Sequence, residues 1–175
     1  LRKLVGNSAL ELSGGRLSLN EQLCWVDVRA LERGLMRLEA MIEDEDRAPE
    51  ELENEMYRVM DLYQGPFLEQ DSEAEWALPL RERLRARLLL TLEGVAGRLG
   101  RSGCCRQARA LCETGLEVHD GCEALYRALI GCQAARGDRG GALQTYWRCR
   151  RILAAELDRG PDPATERLRA ALEDD

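Results

Sequence analysis

The chain has 175 residues, 45% hydrophobic and 33% charged, enough for one domain with a sizeable core. No apolar run approaches the ~20 residues of a membrane-spanning helix, and nothing at the start reads as a secretory signal. The 25 basic residues are 24 arginines and one lysine, Lys3, which argues against chemistry needing a lysine in the body of the chain, such as P-loop nucleotide hydrolysis.

In chain order, residues 8–19 (SALELSGGRLSL) come first, alternating apolar and polar around Gly14-Gly15. Leu10 and Leu12 should face Leu17 and Leu19 across a two-glycine turn, and a hairpin this small should pack on something else. Asp27 can cap a helix running through Leu31, Leu35 and Leu38. The acidic stretch EDEDRAPEE then reads as a disordered linker, because it lacks the ligand spacing of a calcium loop. Pro49, Glu50 and Glu51 suit the first turn of a helix that stops at Gly65-Pro66. Ser72 and Glu75 have the spacing of a capping box. Beyond them, Trp76, Leu80, Leu84, Leu88, Leu92, Val95 and Leu99 mark one long helix that tolerates Pro79 near its start.

A 34-residue period follows. Leu92, Val95, Ala96 and Leu99 correspond to Tyr126, Leu129, Ile130 and Gln133, the buried face of a first helix. Gly103 and Gly137 fall in the turn, Ala108 and Ala142 begin the second helix, and Cys112 and Tyr146 fill its large position. Gly115 and Cys149 take the next small one. These are the offsets of a tetratricopeptide repeat, whose helix–turn–helix units bury their apolar faces against one another. Residues 164–173 read as a short closing helix. The fold expected is all-α: a tetratricopeptide-like helical repeat array preceded by a short β-hairpin. In such an array Tyr126, Arg127 and Tyr146 are the candidates for a partner-binding groove.

The seven cysteines, an odd and irregularly spaced set, suit reduced thiols in a cytoplasmic protein. Cys104, Cys105 and Cys112 near His119 invite a metal reading, but no C-x-x-C pair closes a tetrahedral site, and Cys112 and Cys149 fall in packing slots of the repeat. They read as core, and no metal or cofactor is expected. His119-Asp120 has no recognisable nucleophile or substrate pocket to serve, and GDRGG at 137–141 is a repeat turn without the lysine of a phosphate loop.

The net charge of −7 is unevenly laid out: residues 81–151 carry 14 arginines against seven acids, whereas the remainder carries 11 bases against 25 acids. A chain-wide DNA-binding surface is disfavoured. Arg81, Arg83, Arg85 and Arg87 wrap around their helix instead of forming a phosphate-tracking stripe. A two-signed surface for protein partners and simple solvation of helix faces both fit this layout.

YQGPFL at 63–68, Trp76 with Arg81, Glu123, Arg127 and Leu129 in E-x-x-x-R-x-L, GDRGGALQTYWRCRRILAAEL at 137–157 and Pro161 together resemble the bacterial transcriptional activator domain. That domain occurs in regulators of the streptomycete antibiotic regulatory protein type. The resemblance covers about residues 25–173. It departs at His119-Asp120, where the family usually has Asp-Pro, and at Asp158, where it usually has Gly.

In that family an OmpR-like winged helix comes immediately before, and residues 1–28 are similar to its tail and wing hairpin. The resemblance therefore implies two parts: residues 1–26 as the C-terminal remnant of a DNA-binding winged helix, and 27–175 as the helical activator domain. It implies a non-enzymatic regulatory role, coupling DNA binding to dimerisation, intramolecular control or RNA polymerase contact. The implied partners are the rest of the parent regulator, a second copy, RNA polymerase, and DNA through the winged helix. Arg2, Lys3 and the wing-tip Arg16 are the candidate phosphate contacts. Two rival readings stand beside this one: a tetratricopeptide-type adaptor binding a peptide or helix, unconnected to transcription, and a thiol-based redox or metal sensor.

Overall fold

A computed structural model of the chain describes residues 6–20, 22–71 and 74–174. Arg2, Lys3 and Ser72, and with Ser72 the expected capping box, lie outside the described residues.

Strands β1 (Leu10–Ser13) and β2 (Arg16–Leu19) pair antiparallel, with Leu10 opposite Leu19 and Leu12 opposite Leu17. Gly14 and Gly15 make the turn at φ 57° and 77°, values that L side chains resist and glycine does not. The hairpin differs from expectation in one respect. Its outer leucines, Leu12 and Leu17, are 66% and 56% exposed, and a polar tie joins it to the helical part: Arg29 donates to the Leu19 carbonyl at 3.4 Å.

Seven α-helices follow among the described residues: α1 (Asp27–Glu43), α2 (Pro49–Leu62), α3 (Leu78–Arg101), α4 (Cys105–Val118), α5 (Glu123–Ala135), α6 (Arg139–Leu157) and α7 (Pro163–Asp174). They form three helical hairpins, α1/α2, α3/α4 and α5/α6. The first helices of successive hairpins also touch, α1 against α3 and α3 against α5, and each second helix leans on the next hairpin. Helix α7 closes the stack against α5 and α6. The array buries one continuous core around Leu35, Leu38, Met56, Leu88, Leu92 and Leu111.

The 34-residue register holds at the level of single hydrogen bonds. After α3, Gly103 N–H donates to the Gly100 carbonyl and Cys104 N–H to that of Leu99, at 3.1 and 2.8 Å. After α5, Gly137 donates to Ala134 and Asp138 to Gln133, at 2.9 and 3.0 Å. Both glycines are left-handed, φ 78° and 75°, as such a helix stop requires. Ala108 and Ala142 are wholly buried, as are Cys112 and Cys149. At Gly115 an added Cβ would fall 2.5 Å from Leu125 Cδ1, so a side chain would force α4 and α5 apart. Helix α6 starts at Arg139, where Asp138 Oδ1 accepts the Gly141 N–H at 2.9 Å. It ends at Asp158, which itself takes up the left-handed conformation (φ 48°) that a glycine would adopt without cost.

Four expectations are corrected. Asp27 is the first residue of α1, with Val26 at the capping position, and its carboxylate accepts the Val28 N–H at 2.7 Å. Helix α3 begins only at Leu78, since Pro79 is tolerated no deeper than the first turn. Trp76 therefore sits in a preceding 3₁₀ turn, 71% exposed, instead of on the buried face. Finally, the acidic stretch is an ordered turn. Arg98 of α3 donates to the carbonyls of Ile42, Asp44 and Glu45 at 2.7–3.2 Å, and Arg47 bridges to Glu51. A guanidinium 53 to 56 residues away organises what the acidic composition alone would leave loose.

Candidate functional site

Around the residues singled out for partner binding, α5 supplies Tyr126 and Arg127 and α6 supplies Tyr146. The structure places them on the neighbouring helices α5 and α6, but it buries both tyrosines. Tyr126 and Tyr146 are 0% and 1% exposed, and α7 lies across their end of the array. Arg148 stands 5.8 Å over the Tyr126 ring, and the buried Tyr126 hydroxyl has no hydrogen-bond partner among the described residues. Leu168 and Leu172 of α7 pack on Ile130, Ala142 and Tyr146.

The contact is otherwise polar. Glu123, at the start of α5, is 7% exposed. Its Oε1 accepts the Asp162 N–H at 2.6 Å and its Oε2 accepts Arg159 at 2.8 Å. A carboxylate with both oxygens engaged in charge-assisted or short bonds is stable where a bare one would not be. Asp162 in turn caps α7, its Oδ1 accepting the N–H groups of Ala164 and Thr165 at 3.0 and 3.3 Å, while its Oδ2 meets Arg127 at 2.9 Å. The Tyr146 hydroxyl donates to Glu166 at 2.6 Å, and Arg169 pairs with Glu166 and Glu173. Arg139 donates to the Glu173 carbonyl at 2.8 Å. The clasp thus links α5, α6 and α7 through Glu123, Arg127, Tyr146, Arg159, Asp162 and Glu166.

Its titration follows from these partners. The Tyr146 hydroxyl, then Arg169, hold the Glu166 carboxyl below the usual range. Desolvation opposes the same change at Asp162, but the Thr165 amide and Arg127 outweigh it and lower that carboxyl too. Burial, then the bond to Glu166, pushes the Tyr146 phenol up.

Sequence reasoning passed over Asp162 and Glu166. A signal for the first was present: an aspartate directly before Pro163 is a helix cap followed by the residue best suited to the first helical position. Nothing local marks Glu166 as the acceptor of a hydroxyl 20 residues earlier.

The thiols are placed in packing positions. Burial pushes Cys112 and Cys149 up to about 12 and Cys132 to about 11. Such thiols stay protonated at neutral pH, whereas a nucleophile or a metal ligand must be a thiolate. Among the described residues no group of three or more His, Cys, Asp or Glu side chains is arranged to hold a metal ion. The α3 arginines have intramolecular partners: Arg81 donates to the carbonyls of Phe67, Leu68 and Asp71, Arg83 meets Glu32, Arg85 meets Glu82, and Arg87 makes two 2.7 Å bonds to Glu39. Arg16 is exposed at the hairpin turn. No helix among the described residues is long and apolar enough to cross a membrane.

Stacked helical hairpins behind a short β-hairpin define the protein as an all-α helical array. The sequence model of the bacterial transcriptional activator domain matches residues 26–173, and the chain belongs to that family. No curated protein matches it.

Proposed function

We propose that residues 27–175 are the regulatory protein-interaction domain of a cytoplasmic bacterial transcription factor, coupling DNA binding to dimerisation, intramolecular control or RNA polymerase contact. The observation that carries this reading is the family match along almost the whole helical array. The domain works by binding, without catalysis. Residues 1–26 are read as the tail of an OmpR-like winged helix, a reading supported by the Leu10–Leu19 hairpin, with Arg2, Lys3 and Arg16 as phosphate contacts. Tyr126, Arg127 and Tyr146 then belong to a partner surface of which Tyr146 is reached only when α7 moves aside, since Leu168 and Leu172 pack on it.

DNA affinity comes from phosphate contacts, and specificity from a helix in the major groove. A chain of net charge −7, with Arg81, Arg83, Arg85 and Arg87 engaged by its own groups, should bind duplex negligibly at physiological salt. Fluorescence anisotropy should detect sequence-specific, salt-dependent binding only once a winged helix is placed ahead of Leu1. Deleting residues 29–175 from that longer protein should abolish reporter activation while sparing DNA contact. If the longer protein ignores DNA, the transcription reading fails and the tetratricopeptide-type adaptor takes its place.

A further inference from the structure

The loop between α2 and the 3₁₀ turn, with the segment that enters α1, walls a hollow of about 480 Å³. Three aromatic side chains line it, Trp25, Tyr63 and Phe67, together with three carboxylates, Asp27, Asp61 and Glu69. Trp25 is 73% exposed, a large apolar surface left in water. No Lys or Arg is among the lining residues.

Each wall has a distinct electrostatic character. Asp27 sits on the N-terminus of α1, where its carboxylate takes the Val28 amide and offsets the positive end of that helix. Asp61 and Glu69 have no such partner, and neither forms an ion pair among the described residues. Asp61 lies in the last turn of α2, where the helix's negative end already collects and no basic residue answers it. Two bases of α3 lie near this loop: Arg81, engaged by backbone carbonyls, and Arg85, which lines the neighbouring hollow and is ion-paired with Glu82 at 2.5 Å. The loop is held in place from behind, where Arg81 ties down the carbonyls of Phe67, Leu68 and Asp71.

Unpaired carboxylates, the carbonyl end of a helix and aromatic rings, Trp25 open to solvent and Phe67 half-buried beside Trp76, all attract the same thing, a cation. A hydrated metal ion has no use for the rings. An ammonium group keeps its water more strongly than a guanidinium, which is flat, weakly hydrated and stacks on aromatic faces. The apolar rim formed by exposed Trp25 and Leu68 reaches beyond the hollow and suits a chain with apolar neighbours beside its cation.

We infer that this hollow is a docking site for an arginine-bearing segment of a partner protein, the guanidinium stacking on Trp25 or Phe67 between Asp61 and Glu69. The inference rests on the protein-binding reading above and names the chemistry of one partner.

The test uses the whole chain and a fluorescein-labelled decapeptide of arginine alternating with glycine and leucine, followed by anisotropy. The arginine peptide should bind, its lysine counterpart at least ~3-fold more weakly, and its glutamate counterpart not at all. Asp61→Asn with Glu69→Gln should weaken binding about tenfold, as should Trp25→Ala. Glu45→Gln with Glu50→Gln, exposed acids elsewhere, should leave it unchanged. All three variants alter exposed side chains, and circular dichroism verifies that each is folded. Absence of arginine-peptide binding overturns the inference. So does binding that survives both hollow variants, which would place the peptide elsewhere, or a lysine peptide bound equally well. Failure here with reporter activation intact removes this site and leaves the transcription reading standing, whereas peptide binding by a protein whose winged-helix form ignores DNA does the reverse.

Discussion

The two ends of the helical array are held by different physics. From α1 to α5 the interior is a continuous apolar mass in which Leu35, Leu38, Met56, Leu88 and Leu92 are sealed from water. At the far end α7 seals Thr165 from water and half-buries Leu168 and Leu172 against Ile130, Ala142 and Tyr146, and is otherwise fastened by carboxylates, a hydroxyl and guanidinium groups. Apolar burial is non-directional and contributes in proportion to area, so the first region holds together as a block. Polar contacts that exchange for water contribute little net stability each, so the second is an element that can open without the rest.

The comparison breaks most directly in the core. Leu92→Ala empties a site packed from several helices and should cost about 2–5 kcal/mol of global stability. Urea denaturation would measure it as one cooperative shift. A cost within ~0.5 kcal/mol would show that the apolar block is not the stabilising half.

Glu123→Ala is the next largest change, and it should act locally. It leaves the Asp162 amide and Arg159 without their acceptor, at a cost of about 1–3 kcal/mol. Hydrogen exchange should speed up in α7 while α3 keeps its protection. Equal acceleration in both helices would mean that the clasp and the core open together.

The smallest effect expected is that of acid. Asp162 and Glu166 have folded-state pKa values below their ordinary 3.8 and 4.5. Their contribution is therefore complete above those values and is lost as pH falls through the lowered ones. Both groups are largely solvated, which keeps the effect modest. Protection of the α7 amides should drop below about pH 4 before the global transition begins. With Tyr146→Phe, which removes the first cause of the Glu166 shift, this acid sensitivity should shrink. An unaltered profile would discard Glu166 as part of the latch.

Much of the architecture was written in short-range pattern. The alternation about Gly14-Gly15, the start at Pro49, and the paired stops at Gly103 and Gly137 depend on turn chemistry and periodicity over a few residues, and all are where the sequence places them. So is the burial of Ala108, Cys112, Ala142 and Cys149, because a repeat declares its packing slots by recurrence. Trp76 was misplaced because hydrophobic spacing continued past the proline that limits the helix. The acidic turn was misread because its composition contains no hint of Arg98.

What tertiary structure alone decided is which distant groups meet. Glu123 is joined to Asp162 across 39 residues and Tyr146 to Glu166 across 20, while Arg87 reaches Glu39 across 48. Packing likewise places Tyr146 of a would-be groove beneath α7 and Tyr126 in the core, and it gathers Asp61 and Glu69 around one hollow with an exposed tryptophan. Local propensity acts along the chain and is legible in it. A carboxylate's partner is set by where whole helices come to rest, and that is determined by packing in three dimensions.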